Sequence, residues 1–462
     1  MGAGKSTLGP RLAVKLGRPF VSVDAIVEEE CEVTVADLFA ERGQEAFREL
    51  EERAAVEALT RRIPAVIELG GGALGSELTR IALGEHAFTV LLQTTAEEAW
   101  RRVHSGVRPL ARDPAEFWAL YEERTPLYEG VADAHARDLE DAILAAAGVH
   151  VWPGACDGLG GLVPDDGNVE LVIDARVDEL HGDLVRTALG QRLKGSHQVL
   201  AGERAKSASE AERLWTALRL ERGETLVVLG GGSTSDLAGF VAATFLRGVA
   251  WVPVPTTLVA QVDAAIGGKT AIDVEGGKNL VGAFHWPARV VVDPELLATL
   301  PPEEFENGWA EVVKSGLLAG EPFWELELPA QVRRTAAFKA AICLRDPLDR
   351  SERAQLNLGH TFAHALEAAS GFRLPHGKAV ALGLLAAMRL SGLAEEERTV
   401  EELLRPEPAQ VDRNAAWAAL TRDKKAAGGA VRLVLLDAPG APRVGVELEE
   451  DVVRGALDAL IK

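Results

Sequence analysis

The stretch Thr225-Leu226-Val227-Val228-Leu229-Gly230-Gly231-Gly232-Ser233-Thr234-Ser235-Asp236 sets the architecture of the larger part of this chain. A mostly apolar, β-favouring run enters three glycines and then a helical pattern, which is how a buried parallel strand turns over into a helix. Glycines at such a turn let backbone approach a pyrophosphate lying on the helix N-terminus. The string is not G-x-G-x-x-G, and a tight strand-to-helix turn without a ligand fits these residues equally well. Strands expected at Val169 to Ile173 and Trp251 to Val254, separated by helical stretches, extend the pattern into a Rossmann-like α/β nucleotide-binding sheet. From about Glu303 onward, Ala/Leu-rich amphipathic segments run through Leu393. An α/β half therefore leads into a mainly α-helical half, with a cleft between them.

Upstream, from Thr7 to about Ala147, helical stretches such as Glu45 to Ala58 alternate with short apolar strands at Ala65 to Leu69 and Phe88 to Leu92. That alternation predicts βαβ units and another parallel sheet. The strand Val149 to Trp152 and the Gly-rich segment Gly154 to Gly161 break the helix that ends near Ala147. The join is placed there, which divides the chain into residues 1–147, 148–302 and 303–462. A length of 462 residues fits two or three such cores.

Apolar residues at 47% and charged residues at 26% are ordinary globular values, and no apolar run reaches bilayer-spanning length. No membrane association is expected. The net charge of −21 would repel a phosphate backbone, so no nucleic-acid partner is expected and local basic residues are read one by one. Cys31, Cys156 and Cys343 lie far apart without a C-x-x-C, which fits neither a disulfide framework nor a thiolate zinc site. A reducing cytoplasm is the expected location.

Gly2-Ala3-Gly4-Lys5-Ser6-Thr7 is the tail of a phosphate loop, in which backbone N–H groups hold phosphates, Lys reaches the outer phosphate oxygens and Ser ligates Mg²⁺. The same residues match an N-myristoylation pattern in form, and the phosphate loop is the reading preferred. Further along stand Val23-Asp24, Gly43 to Arg48, Gly70-Gly71-Gly72, Arg108-Pro109-Leu110 and Arg124 to Tyr128. In order and spacing these segments resemble shikimate kinase over roughly residues 1 to 145.

The resemblance implies ATP with Mg²⁺ as cofactor, held by Gly2, Gly4, Lys5, Ser6 and Thr7. Asp24 would orient and deprotonate the attacking hydroxyl. Arg48 and Arg124 would grip the shikimate carboxylate, where planar guanidinium forks suit the anion. Gly70, Gly71 and Gly72 would let backbone approach the ring, and Arg108 would sit on a lid over the transferring phosphoryl group. Two departures stand out: Ser22 occupies a place where the family often has a second, Mg²⁺-assisting aspartate, and the apolar strand and first half of the loop do not precede Met1. In a parallel sheet that strand would be central and buried, so the expectation is a natural protein longer than this chain, begun at an internal Met.

In the second part, His360 and His364 share a helix face at i, i+4, His376 follows twelve residues after His364, and Glu311 lies on an earlier helical segment. This set favours His/carboxylate coordination of zinc or a similar divalent metal over a packed histidine pair. Lys269, Lys278, Lys314, Lys339, Arg353, Lys424 and Lys425 stand in apolar or Gly-rich surroundings. They point to an anionic substrate, although for Lys339 and Lys424 a scatter of surface cations reads as well.

Together with Leu229 to Asp236, the segments Val254 to Thr257, Gln261 to Asp263, Ile266 to Thr270, Lys278 to Phe284, Ala310 to Lys314 and Asn357 to His364 resemble 3-dehydroquinate synthase over residues 148 to 462. The resemblance implies Glu311, His360 and His376 as ligands of Zn or Co. NAD contacts would come from Asp174, Glu203, Lys206, Gly231, Gly232, Asp236, Thr256, Thr257, Lys269, Lys278 and Thr299. Substrate binding and proton handling fall to Asp263, Lys269, Asn279, Lys314, Lys339, Arg353, Asn357, His364 and Lys424 or Lys425. Pro347 and Leu348 interrupt an acidic-basic-acidic run common in the family, which leaves the role of Asp349 open, and Ser235 replaces a common glycine.

What the resemblances imply jointly is a bifunctional enzyme of aromatic precursor synthesis: cyclisation of 3-deoxy-D-arabino-heptulosonate 7-phosphate to 3-dehydroquinate with loss of phosphate, and phosphorylation of shikimate by ATP. Its partners would be small molecules, with a homodimer formed through the synthase part. The competing expectations are another sugar-phosphate cyclase, a metal-dependent polyol dehydrogenase that releases NADH, and a non-catalytic docking role for the N-terminal part.

Overall fold

A computed structural model describes residues 2–104, 113–164, 167–275, 277–421 and 431–462. They form two compact units, Met1–Ala147 and Gly148–Lys462. Arg108, Lys424 and Lys425 lie outside the described residues.

The first unit runs α1 (Lys5–Leu16), β1 (Phe20–Ser22), α2 (Val23–Cys31), α3 (Val35–Leu59), β2 (Val66–Glu68), α4 (Glu77–His86), β3 (Val90–Leu92), α5 (Ala96–His104), α6 (Pro114–Val131), β4 (Ala134–Ala136) and α7 (Leu139–Ala146). The helix read from Glu45 to Ala58 is part of the longer α3, which bends where Gly43 leaves helical backbone at φ 82°, ψ 174°. Strand β1 pairs parallel with β2, and β3 pairs parallel with β4. Among the described residues no strand joins the two pairs, so two parallel ribbons stand where one sheet was expected. Their strands are three residues long and β1, β2 and β3 are half-buried throughout, so helix packing carries this unit. Val23, Val27, Leu38, Phe47 and Ala55 form one core, and Leu59, Leu74, Ala82 and Leu83 another.

The second unit opens with β5 (Val149–Val151), α8 (Leu159–Leu162), β6 (Val169–Asp174), α9 (Ala175–Leu189), β7 (Leu193–Val199), α10 (Ala208–Ala217), β8 (Thr225–Gly230), α11 (Gly232–Thr244) and β9 (Ala250–Pro255). A hairpin of β10 (Lys269–Val274) and β11 (Gly277–Phe284) follows, then β12 (Val290–Val292), which pairs parallel with β5. The central parallel sheet has the order β7-β6-β8-β9. Every residue of β6 and β8 is buried. Alternate side chains feed two different cores: Val172, Leu226 and Val228 pack with α10 and α11, while Leu171, Ile173, Val227 and Leu229 face Val185, Leu189 and Leu296. Burial on both faces is why β8 reads as a nearly continuous apolar run and why β6 is apolar apart from Glu170 and Asp174.

The helical half comprises α12 (Pro302–Ala319), α13 (Leu328–Arg345), α14 (His360–Ala369), α15 (His376–Ser391), α16 (Ala394–Leu404), α17 (Arg413–Leu420), a hairpin of β13 (Arg432–Ala438) and β14 (Ala441–Glu447), and α18 (Glu450–Asp458). Its core gathers Val313, Leu317, Phe362, Leu366, Leu384 and Met388 from α12, α14 and α15. Among the described residues no helix is long and apolar enough to cross a membrane.

Candidate functional site

Helices α14 and α15 cross at a point that admits no side chain. Gly359 sits at φ +78° just before α14, and a Cβ on Gly383 of α15 would lie 2.0 Å from the Gly359 carbonyl oxygen. Only glycine meets both the positive φ and the close approach. The crossing brings His360 and His376, each the first residue of its helix, onto Glu311 of α12. The Glu311 Oε1 atom lies 3.4 Å from His360 Nε2 and 3.3 Å from His376 Nε2. The three donor atoms all fall within 4.8 Å of one another.

The two shorter separations match the edge, roughly 3.3 Å, of a tetrahedron whose centre-to-corner bonds are ~2.0 Å, as for zinc with nitrogen and oxygen ligands. The donor set of two imidazoles and one carboxylate therefore fits Zn or Co, with room for a further ligand. Burial alone would raise the Glu311 carboxyl, but Lys314 and the two imidazoles hold it well below the ordinary carboxylate range. Behind the three donors, His376 Nδ1 lies 2.9 Å from Glu367 Oε1, and His360 Nδ1 lies 3.1 Å from the Leu358 carbonyl. These contacts leave each Nε2 to face Glu311. Burial opposes protonation of His376, yet Glu311 and Glu367 lift it to about 10, so a metal ion at Nε2 would compete with a proton. His364 stands at the exposed rim, its ring centroid 5.4 Å from that of His360. Desolvation of its inner side, and then His360, bring it down to about 4.

From this centre a line of paired charges leads to the glycine turn. The Lys314 ammonium is buried against Glu311 and also feels Asp263. Asp263 takes Lys339 Nζ at 2.5 Å, and the same ammonium donates to the Asp263 carbonyl at 2.6 Å. Although burial raises it, Lys339 and then Lys314 hold the Asp263 carboxyl below its usual range. Next to Asp263, Ala264 touches the turn: a Cβ on Gly232 would lie 3.2 Å from its Cβ. Gly231 caps α11 and Gly232 begins it. On that helix Asp236 accepts from Lys206 at 2.8 Å, and Lys206 also reaches Asn279. Burial lifts Asp236 to about 6 against the pull of Lys206. Glu203 accepts from Ser233 Oγ at 2.7 Å and pairs with Lys278 at 2.7 Å, while Lys278 lies 4.6 Å from the Phe372 ring centre. Thr256 is buried with no hydrogen-bond partner for its hydroxyl among the described residues, and the Thr257 hydroxyl accepts from Ala260 N. Asp174 caps α9 and binds Gly202 N, and Thr299 pairs with His181 at 2.8 Å.

The basic residues differ from their reading in the sequence. Lys339 is buried, whereas the Lys269 side chain is half exposed. Each of Lys206, Lys269, Lys278, Lys314 and Lys339 has a carboxylate partner, which lets Lys206, Lys314 and Lys339 be buried without an uncompensated charge. Asp349 is the partner of Lys269. Asp346 closes the turn before it, accepting N–H groups of Arg350 at 2.9 Å, Ser351 at 2.7 Å and Arg353 at 3.1 Å. The buried Arg353 donates to the Gly267 carbonyl at 2.8 Å, and Asn357 ends the same segment in an exposed position.

In the first unit, Gly2 and Gly4 take positive φ and α1 begins at Lys5. Ser6 Oγ donates to Glu68 Oε1 at 2.6 Å. A Cβ on Gly70 would lie 3.0 Å from Asp24 Oδ1 and still closer to Glu51, and one on Gly72 would strike the Arg48 guanidinium. Arg124 Nη1 and the Tyr128 hydroxyl both donate to the Gly71 carbonyl, at 2.7 and 2.6 Å. Asp24, Arg48 and Arg124 thus converge on the glycine triplet. Glu51, unnoticed in the sequence, is buried and pairs with Arg48, whose guanidinium lies over Phe47 at 5.2 Å. Burial raises the Glu51 carboxyl despite Arg48. Its signal was the i, i+3 spacing from Arg48 on one helix face.

Residues 1–147 match the shikimate kinase family, residues 196–307 the 3-dehydroquinate synthase N-terminal family, and residues 308–426 the 3-dehydroquinate synthase C-terminal family. The 3-dehydroquinate synthase of Symbiobacterium thermophilum is 42% identical over 347 residues, covering 68% of this chain and 97% of that protein. That of Caulobacter vibrioides is 42% identical over 332 residues, covering 63% and 88%. The solved 2-epi-5-epi-valiolone synthase from Streptomyces hygroscopicus subsp. jinggangensis 5008, with NAD⁺ and Zn²⁺ bound, is 25% identical with a TM-score of 0.59, covering 68% of this chain and 96% of that one. A 2-deoxy-scyllo-inosose synthase complexed with carbaglucose-6-phosphate, NAD⁺ and Co²⁺ shares the fold at 22% identity and a TM-score of 0.61, covering 67% and 95%.

Proposed function

Because this chain belongs to the 3-dehydroquinate synthase family and carries a shikimate kinase domain ahead of the synthase domains, we propose that it catalyses two reactions of one pathway. The second unit converts 3-deoxy-D-arabino-heptulosonate 7-phosphate into 3-dehydroquinate and phosphate, and the first transfers a phosphoryl group from ATP to shikimate. The observation that carries the first of these is the convergence of Glu311, His360 and His376 at one end of a line of buried and half-buried ion pairs, whose far member, Asp263, adjoins the residue packed on the glycine turn of α11. When bound, NAD supplies a hydride acceptor that is restored before product leaves, and the divalent cation supplies a Lewis acid at a substrate oxygen.

The protein's own groups do the rest. Lys269, Lys314, Lys339 and Arg353 hold the phosphate and carboxylate ends of the substrate in exchange for their present partners, which fixes orientation. His364, at the rim beside His360, exchanges protons with substrate oxygens. In the kinase unit Asp24 takes the proton of the attacking hydroxyl, while Arg48, aimed by Glu51, and Arg124 hold the carboxylate. The fit of the phosphate loop to ATP with Mg²⁺ rests on the left-handed glycines before Lys5 and on the Ser6 hydroxyl.

The proposal extends to a homodimer built through the synthase unit, which light scattering tests, and to a cytoplasmic location, in keeping with three free cysteines. Incubation of purified protein with heptulosonate phosphate, NAD and Zn²⁺ or Co²⁺ should release phosphate with no net NADH. Accumulating NADH would instead identify a dehydrogenase, and a carbocycle other than 3-dehydroquinate would identify a different cyclase. Shikimate 3-phosphate formed from ATP and shikimate tests the kinase unit, and its absence would leave that unit a docking module.

A further inference from the structure

Two strands of the first unit end side by side over the phosphate loop. Ser22 and Glu68 are the last residues of β1 and β2, and they are register partners. In a parallel sheet, ligands gather at the carboxyl ends of strands. The Ser22 side chain is turned to its own helix, accepting from Ala25 N at 3.4 Å. The Glu68 carboxylate takes the Ser6 hydroxyl at 2.6 Å. Arg102 braces the same loop, donating to the Gly2 and Ala3 carbonyls, each at 3.3 Å.

A phosphate loop is built to concentrate negative charge, and a carboxylate bonded to its serine would repel the nucleotide unless a cation stood between them. The serine hydroxyl of such a loop is a Mg²⁺ ligand, and Mg²⁺ takes oxygen donors, usually one or two carboxylates with phosphates and water. We propose that Glu68 is the carboxylate that holds the nucleotide's Mg²⁺ against the Ser6 hydroxyl, directly or through a bound water. It does so from the strand next to the one where Ser22 offers no charge. This rests on the kinase reading of the first unit and adds to it a residue on β2.

The test uses the full chain with the Glu311 site filled beforehand by Zn²⁺, and follows Mn²⁺ bound in the presence of ADP by electron paramagnetic resonance. Glu68→Gln keeps the shape and an acceptor for Ser6 but removes the charge. It should weaken ADP-dependent Mn²⁺ binding by roughly tenfold to hundredfold, the range seen when a carboxylate supporting a metal is lost, while metal-free ADP binding is kept or tightened, because a charge that repels the nucleotide is gone. Adding Ser22→Asp to Glu68→Gln should restore most of the Mn²⁺ affinity, because the register partner then supplies the carboxylate and aspartate caps α2 as well as serine does. Equal Mn²⁺ affinity in wild type and Glu68→Gln would overturn the proposal, as would a loss of metal-free ADP binding, which would mark Glu68 as a tether of the loop. A wild-type chain with no ADP-dependent Mn²⁺ at all would instead overturn the kinase reading.

Discussion

A carboxylate behind a metal-binding imidazole fixes the ring and decides which nitrogen is left bare. Glu367 has that place behind His376, at 2.9 Å from Nδ1. Glu367→Ala is expected to lower Zn²⁺ or Co²⁺ affinity by roughly 10–100-fold, with an unchanged circular dichroism spectrum. Competition with a chromophoric chelator measures it, and wild-type affinity in the variant would remove Glu367 from the site. The candidate donors were partly legible: His360 and His364 at i, i+4, with His376 downstream and Glu311 upstream, are an unusual set for an acidic, Ala-rich region, and of the four it is Glu311, His360 and His376 whose donor atoms come together. Glu367 was not, although it lies two turns from His360, because a carboxylate on such a helix is read by default as a solvated one. For the same reason Lys339 read as a possible surface cation. Its burial depends on Asp263, 76 residues away, and sequence alone does not announce so distant a pairing.

Elements were legible where both faces are buried. Strands β6, β8 and β9 are mostly apolar because α/β packing covers them on two sides, and the charge inside β6, Glu170, is buried against His197 at 3.0 Å. The hairpin of β10 and β11 gave no such signal: β11 is exposed along most of its length, so its residues drew attention as a motif and not as a strand. The hairpin of β13 and β14 was missed as well, β14 being largely exposed. In the α14/α15 crossing the glycines carry the function. Gly383→Ala should force the helices apart and cost about 1–3 kcal/mol of stability. Metal affinity should fall with it although every ligand is intact, because His360 and His376 start the two helices being separated. Thermal melting and metal titration of the same sample check both, and a destabilised variant with native metal affinity would show that the crossing does not set the ligand geometry. The turn ahead of Arg353 gives a pH-dependent expectation. Three backbone N–H groups, that of Arg350 foremost, bring Asp346 to about 2. A carboxyl lowered by folding contributes stability that is present above its unfolded pKa, near 4, and lost as pH falls through 2. Asp346→Ala should therefore melt lower than wild type at pH 7, and the gap should shrink between pH 4 and pH 2. A gap that does not change with pH would remove the charge from the explanation.

At the scale of the whole molecule, each unit has apolar cores of its own: Val23, Leu38 and Phe47 in the first, Leu171, Val227, Phe362 and Leu384 in the second. Each also has its own glycine turn leading into a helix and its own charged set, so the two proposed chemistries should fail separately. His360→Ala removes one of three metal donors and should abolish both metal retention and phosphate release from heptulosonate phosphate. Phosphorylation of shikimate by that same protein should stay at the wild-type rate, because no donor of the first unit is touched. Asp24→Asn should do the reverse, removing the proton acceptor from the kinase unit while leaving cyclisation intact. Coupled assays for phosphate and for ADP on one preparation of each variant read both activities against the metal content. If His360→Ala lowered shikimate phosphorylation as much as cyclisation, in a protein whose melting curve still showed a folded first unit, the two activities would depend on one another and independent units would no longer describe this chain.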